Sequence, residues 1–169
     1  MVIATAAALV ASGALAACGG NASVPRSPLS LADVAPAVAA VESGRGGPQR
    51  YTEINVGIGL VNLFVAVGDG TELAFVYRKG KLEDPGPAQA SPAGSTTFAL
   101  DEVSLGSVAD FDRLLARQLP KSHLTTLALL DAPPLGLSWQ AGMAGGKGSN
   151  FQVAISPTGQ IVGALPGQS

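Results

Sequence analysis

Charged residues are scarce in this chain: they make up 13% of its 169 residues, and the formal net charge is −2. Domains that bind nucleic acid usually carry a basic stripe, so this charge balance argues against that class. Turn-forming residues are plentiful instead, with 22 glycines and 12 prolines. Such a composition favours several short strands over long helices.

Histidine is almost absent, because His123 is the only one. A Ser-His-Asp triad would need His123 as its base and Asp131 or Asp112 to orient it. No Gly-x-Ser-x-Gly elbow marks a nucleophilic serine for such a triad. We therefore predict that His123 lies in a solvated loop and that the protein is not an enzyme.

Metal and cofactor sites are equally poorly supported. The acidic pairs Glu83-Asp84 and Asp101-Glu102 lack the alternating oxygen ligands of a calcium loop. In Gly145-Gly146-Lys147-Gly148, glycine follows the lysine where a phosphate loop has serine or threonine. Asn62 stands where a dinucleotide fingerprint starting at Gly57 would have its third glycine. We predict hairpin turns at both glycine clusters, and neither a metal nor a cofactor.

The longest stretch without charge runs from Met1 to Ala17 and consists mostly of Ala, Val, Leu and Ile. Its length suits the apolar region of a signal peptide and is short of the ~20 residues that span a bilayer. It ends in Leu15-Ala16-Ala17-Cys18, which resembles the lipobox of bacterial lipoproteins. That resemblance implies cleavage after Ala17, a diacylglyceryl group on Cys18, and anchoring at the outer face of the cytoplasmic membrane.

Two points about this leader stay open. Cys18, the only cysteine, could instead be a small apolar residue in a buried helix. A signal peptide should also begin with positive charge, yet the first basic residue is Arg26, so we expect translation to start upstream of Met1. If Cys18 is lipidated, no thiol remains for a disulfide, a thiolate metal site or a cysteine nucleophile.

The residues after the leader divide into two similar segments. We predict a signal peptide over residues 1–17, a flexible tether over 18–29, an α+β repeat over 30–83, a linker over 84–95, and a second α+β repeat over 96–169. Ser30-Leu31 matches Ser104-Leu105 at a spacing of about 75 residues, too long for most solenoids and typical of a duplicated unit. Alternatively, this is the loose self-match that any α+β chain with hairpins shows.

Each repeat is predicted to contain one helix and four antiparallel strands, with the helices packed on one face of the sheets. Asp33 is the expected N-cap of the first helix, and Ser107 with Asp110 forms a capping box for the second. We place five aromatic side chains in the core and expect Tyr51 and Tyr77 on an exposed sheet face. The five are Phe64, Phe75, Phe111, Trp139 and Phe151.

Three features together resemble the PepSY-like and β-lactamase-inhibitory-protein-like families. They are the lead-in Thr97-Phe98-Ala99-Leu100, the helix from Val108 to Leu119, and the strand–turn–strand around Ser156-Pro157-Thr158-Gly159. The resemblance lies in the architecture, so it transfers no functional residue. It implies non-catalytic binding of a protein or peptide, or inhibition, in the cell envelope.

These observations favour a lipid-anchored envelope protein that binds a protein or peptide through its sheet faces. The alternative is a carrier or sensor of an apolar ligand, such as a lipid, held between helix and sheet, because 47% of the residues are hydrophobic. One basic cluster, Arg78-Lys79 with Lys81, is either a charged turn or a contact with anionic headgroups.

Overall fold

The computed structural model of the chain describes residues 28–145 and 149–166, with the side chains of 165 and 166 excepted. The predicted signal peptide, its cleavage site at Ala17, the proposed lipid attachment at Cys18 and nearly all of the predicted tether lie outside these residues. So does the centre of the predicted hairpin at 146–148.

The described residues form an α+β fold, as predicted. Helix α1 spans Val34–Arg45 and helix α2 spans Phe111–Gln118, and a 3₁₀ turn precedes each of them, at Leu31–Asp33 and Leu105–Asp110. The strands are β1 Tyr51–Gly57, β2 Leu60–Gly68, β3 Thr71–Arg78, β4 Lys81–Leu82, β5 Gln89–Ala90, β6 Ser122–Ala132, β7 Gly136–Gly145, β8 Asn150–Ile155 and β9 Ile161–Pro166.

All nine strands of the described chain belong to one antiparallel sheet, in the order β4-β3-β2-β1-β6-β7-β8-β9, with β5 paired to β3. Strands β1 to β4 and strands β6 to β9 are each a series of hairpin neighbours. The two series meet where β1 pairs with β6, with Ile54 opposite Leu129 and Val56 opposite Leu127.

The core lies on one face of this sheet. Strand alternation and register place the same-face side chains Ile54, Leu63, Phe75, Leu129, Trp139 and Ile155 in neighbouring positions, and all are buried. The same hydrophobic cluster contains Val34, Val38 and Val41 of α1 and Phe111 and Leu115 of α2. Burial of this apolar surface is the main stabilising term of the fold.

Two details of the helix starts differ from expectation. Asp33 does precede α1, but its backbone is already helical and its side chain makes no capping hydrogen bond. The predicted capping box at Ser107 is wrong, because Ser107 lies inside the 3₁₀ turn and its hydroxyl donates to the Ser104 carbonyl over 2.7 Å. Helix α2 therefore begins at Phe111, three residues after the predicted start.

The aromatic residues are partly reassigned by the register. Phe75, Phe111 and Trp139 are buried in the core as predicted, and Phe151 packs against it. Phe64 is opposite Glu53 and Ala74, on the other face of the sheet, so its placement in the core is wrong. The expected exposure of Tyr51 and Tyr77 is also wrong, because both are buried.

The predicted linker over 84–95 contains one structured element. Strand β5 pairs with the start of β3, with Gln89 opposite Glu72. The Gln89 side-chain amide donates to Glu72 Oε1 over 3.1 Å, and the Thr52 hydroxyl donates to Glu72 Oε2 over 2.6 Å. These contacts hold the Glu72 carboxylate at 2% exposure and fasten the connecting segment to the sheet.

Tyr51 makes the stability of the fold pH-dependent in the alkaline range. Burial, followed by the negative charge of Glu42 and the hydrogen bond that the phenol donates to it, raises the pKa of Tyr51 well above its usual value. Because the folded-state pKa lies above the unfolded value of ~10, the neutral phenol stabilises the fold fully below pH ~10. This contribution decreases as the pH rises from there toward the folded-state pKa.

We therefore expect the native chain to lose stability relative to Tyr51→Phe as the pH rises above about 10. Urea unfolding of both proteins over this range measures the difference, and titrating groups common to both cancel. A difference that stays constant with pH would contradict the assignment.

Candidate binding surface on the sheet face opposite the core

His123 and Asp131, the first pair considered for a triad, lie far apart. His123 is exposed, but it lies near the start of strand β6, so its placement in a loop is wrong. Asp131 is near the end of the same strand. Eight residues of extended strand separate them by roughly 26 Å, so Asp131 cannot orient His123. Asp112 lies in the first turn of α2. Within residues 28–145 and 149–166, no group of three His, Cys, Asp or Glu side chains could hold a metal ion.

A cavity of about 360 Å³ lies at the centre of the sheet, where the two series of strands meet. Its lining comes entirely from strands β1, β2, β6, β7 and β8, with no helix residue and no charged residue among its members. Four of the lining side chains are carboxamides, and we call these four the amide surface: Asn55, Asn62, Gln140 and Gln152.

The register explains why the four amides come together. Asn55 is opposite Asn62 on one side and Ala128 on the other, and Ala128 is opposite Gln140. Asn62, Asn55 and Gln140 thus belong to one row across the strands, about 14 Å long from three strand spacings. Gln152 is opposite Gly142, one level further along β7.

The amides have hydrogen-bonding capacity that the fold leaves unused. All four side chains are half-buried, and none is hydrogen-bonded to another described residue. Each amide offers one carbonyl acceptor and two N–H donors. The surface is therefore neutral, and it can both donate and accept.

Small residues keep the cavity open. A Cβ atom at Gly142 would collide with the Thr126 hydroxyl, so a side chain at this position forces Thr126 to move. Ala128 contributes only a methyl group between Asn55 and Gln140. The neighbouring Thr125 hydroxyl is already engaged, since it donates to the Gly142 carbonyl over 2.9 Å.

Apolar side chains flank the amide surface on the same face. Val76 is opposite Asn62 and extends the row, while Phe64 and Leu130 lie one level away. All three are half-buried. Glu53, also half-buried, is opposite Phe64 in the same row, so apolar side chains and one carboxylate flank the neutral amides.

Comparison of the chain with protein-family models, with curated proteins and with solved structures finds no significant match. None of the helices in the described ranges is both long and apolar enough to cross a bilayer. The assignment of function therefore rests on the chemistry of the chain itself.

The sequence alone gives little indication of the amide surface. Its only local signal is a lone polar residue inside an apolar strand, as with Asn62 between Val61 and Leu63, or Gln140 between Trp139 and Ala141. The pairing of β1 with β6 brings these signals together, and strand alternation alone does not specify that pairing.

Proposed function

We propose that this chain is a lipid-anchored cell-envelope protein that binds a protein or peptide on the sheet face opposite the core and performs no reaction. The observation that carries the proposal is the amide surface. Half-buried carboxamides without intramolecular partners lose hydrogen bonds to water when a ligand covers them, unless the ligand replaces those bonds.

A peptide backbone fits this requirement well. Its N–H and C=O groups alternate along an extended chain, and a carboxamide can pair with both. The row from Asn62 to Gln140 spans about 14 Å, the length of roughly four extended residues. The apolar flanks at Phe64 and Leu130 would then receive side chains of the ligand.

We further infer that the sheet consists of two tandem αββββ units whose helices cover the same face. The strand order supports the repeat, because β1 to β4 and β6 to β9 extend in opposite directions from the central pair. The contacts of the helices support the shared face. Glu42 of α1 accepts a hydrogen bond from Tyr51, and Phe111 of α2 packs edge-on against Trp139 at 5.8 Å.

The anchor and the location at the outer face of the cytoplasmic membrane rest on the run Leu15-Ala16-Ala17-Cys18. Mass spectrometry of the processed protein tests both, since lipidation adds a diacylglyceryl mass to a chain that begins at Cys18. The alternative of an apolar ligand between helix and sheet gains no support from the cavity, which lies on the other face and is lined by amides.

The double variant Asn55→Ala/Gln140→Ala is expected to lose the ligand while keeping the fold. Neither side chain has an intramolecular hydrogen bond, so the free energy of unfolding should change by no more than about 0.5 kcal/mol per site. Wild-type and variant proteins, immobilised in parallel, are exposed to an envelope extract and to peptide arrays.

The matched control is Gln118→Ala/Gln160→Ala, which removes two exposed amides at the end of α2 and in the β8–β9 turn. We expect this control to retain every ligand that the wild-type protein retains. Equal retention by the amide-surface variant and the control would remove the support for binding at this face.

A further inference from the structure

One end of the sheet receives the chain that leads back to Cys18. Leu29 forms a β-bridge with Ile58, in the β1–β2 turn, and the Ser30 N–H donates to the Gly57 carbonyl over 3.0 Å. The chain therefore joins the fold beside this turn. Ile58 itself is 71% exposed, more than any other large hydrophobic side chain of the described residues.

The same end carries a group of cations. Arg78 is opposite Leu60, which places the β3–β4 turn with Lys79 and Lys81 beside the β1–β2 turn. Strand β6 is antiparallel to β1, so Lys121, just before β6, also lies at the end where β1 finishes. Every lysine of the described residues thus lies at this end.

Most of these cationic side chains are exposed and are not neutralised by an acidic side chain of the described residues. Lys79, Lys81 and Lys121 are exposed and form no ion pair with the described residues. Arg78 is 3.9 Å from Glu83, and both side chains are about half exposed. Glu83 and Asp84 follow β4, which runs away from the β3–β4 turn. The β3–β4 turn itself therefore carries only positive charges.

We propose that this end, formed by Ile58, Arg78, Lys79, Lys81 and Lys121, docks on an anionic lipid bilayer, and we call it the docking end. The lysines bind headgroup phosphates, and Ile58 enters the interface between them. We infer a bilayer as the partner because its anionic headgroups complement the lysines, and because the chain that leads from Cys18 joins the fold at this end.

This inference uses the anchor of the proposed function. Cys18 is 11 residues before Leu29 (29 − 18 = 11), a segment that reaches no more than about 40 Å when fully extended. A lipidated Cys18 would therefore keep the docking end close to the membrane. Docking places the strands upright on the bilayer, with the amide surface facing sideways and accessible to a ligand.

The test uses the processed full protein in vesicles of phosphatidylcholine, alone or mixed with phosphatidylglycerol. Mass spectrometry first establishes whether Cys18 is lipidated; if its thiol is free, Cys18→Ser is added to both label variants. A spin label is then attached at Ile58→Cys, and its collision rates with oxygen and with a water-soluble nickel complex measure its depth. Val162→Cys is the matched control, because Val162 is also apolar and is 56% exposed, but lies on β9 far from the tether.

We expect the label at position 58 to enter the lipid interface in anionic vesicles only, and the label at position 162 to stay in water. Lys79→Gln/Lys81→Gln should lower the docking equilibrium constant about five-fold per lysine. Arg45→Gln/Arg113→Gln, which removes the same charge from the helices, should leave it unchanged.

The outcomes separate docking from anchoring. A lipidated Cys18 together with a water-exposed label at position 58 would overturn docking and leave the anchor intact. An unlipidated chain whose label at position 58 still enters anionic vesicles would support docking and remove the anchor. Equal insertion in both kinds of vesicle, insensitive to the lysines, would overturn the electrostatic proposal.

Discussion

Replacing Trp139 with alanine is expected to remove about 3–5 kcal/mol from the free energy of unfolding. Trp139 is completely buried, between Leu129 on β6 and Ile155 on β8, and its ring meets Phe111 edge-on with an interplanar angle of 82°. Alanine leaves a cavity on the β7 side of the core and breaks the contact with α2. Because domains are typically stable by only about 5–15 kcal/mol, this loss threatens the whole fold.

Trp139→Phe provides the contrast. The indole Nε1 has no hydrogen-bond partner in the described part of the protein, so phenylalanine removes an unsatisfied buried donor together with part of the ring. We expect its cost to be well below that of alanine. Urea unfolding followed by far-ultraviolet circular dichroism is suitable, because Trp139 is the only tryptophan and both variants lose its fluorescence.

If Trp139→Phe lowered the free energy of unfolding as much as Trp139→Ala, the loss could not be explained by the side-chain volume removed from the core. Phe64→Ala gives a second reference, since Phe64 is half-buried on the other face of the sheet. It should cost clearly less than Trp139→Ala.

The strands could be located from the sequence because alternation and turn residues are local signals. Leu73, Phe75 and Tyr77 repeat with a period of two, and Asp69-Gly70 marks the hairpin before them. The start of α2 could not be located so well. The serine at position 107 resembles an N-cap in sequence, but a 3₁₀ turn competes with the helix over Leu105–Asp110 and uses its hydroxyl instead.

Side-chain placement failed where the local signal was ambiguous. In β2, apolar residues occupy both faces, so Phe64 could be assigned to either, and Asn62 is the only indication of the face opposite the core. Tyr51 was expected at the surface because a phenol needs a polar partner. Glu42 on α1, nine residues before Tyr51, supplies that partner inside the fold, and strand alternation does not encode this contact.

Local sequence signals are least able to predict the amide surface. Asn62 and Gln152 are 90 residues apart (152 − 62 = 90), yet they line one cavity because β1 pairs with β6. Had the two strand series formed separate sheets, each half of the surface would lie at an edge. The candidate site is thus a product of tertiary pairing, whereas the docking end could be found in part from the adjacent residues Arg78 and Lys79.

Thr52→Val is expected to destabilise the fold by about 1.5–3 kcal/mol, the cost of losing a hydrogen bond to a buried carboxylate. Valine preserves the shape of threonine but cannot donate to Glu72 Oε2. Gln89 would remain as a side-chain donor to Glu72, at 3.1 Å. The measurement is urea unfolding, with Thr125→Val as control, since the Thr125 hydroxyl is exposed and bonds to a backbone carbonyl.

The double variant Thr52→Val/Glu72→Leu tests whether the lost stability comes from leaving the buried Glu72 carboxylate without its Thr52 donor. Replacing both partners with apolar side chains removes the buried charge together with its donor, so its cost should be less than the sum of the two single variants. Glu72→Leu also removes the acceptor of the Gln89 side chain, so β5 should detach from β3 more often. Proteolysis within residues 84–95 should therefore be faster in Glu72→Leu but not in Thr125→Val. Strictly additive costs would show that Thr52 and Glu72 stabilise the sheet independently of each other.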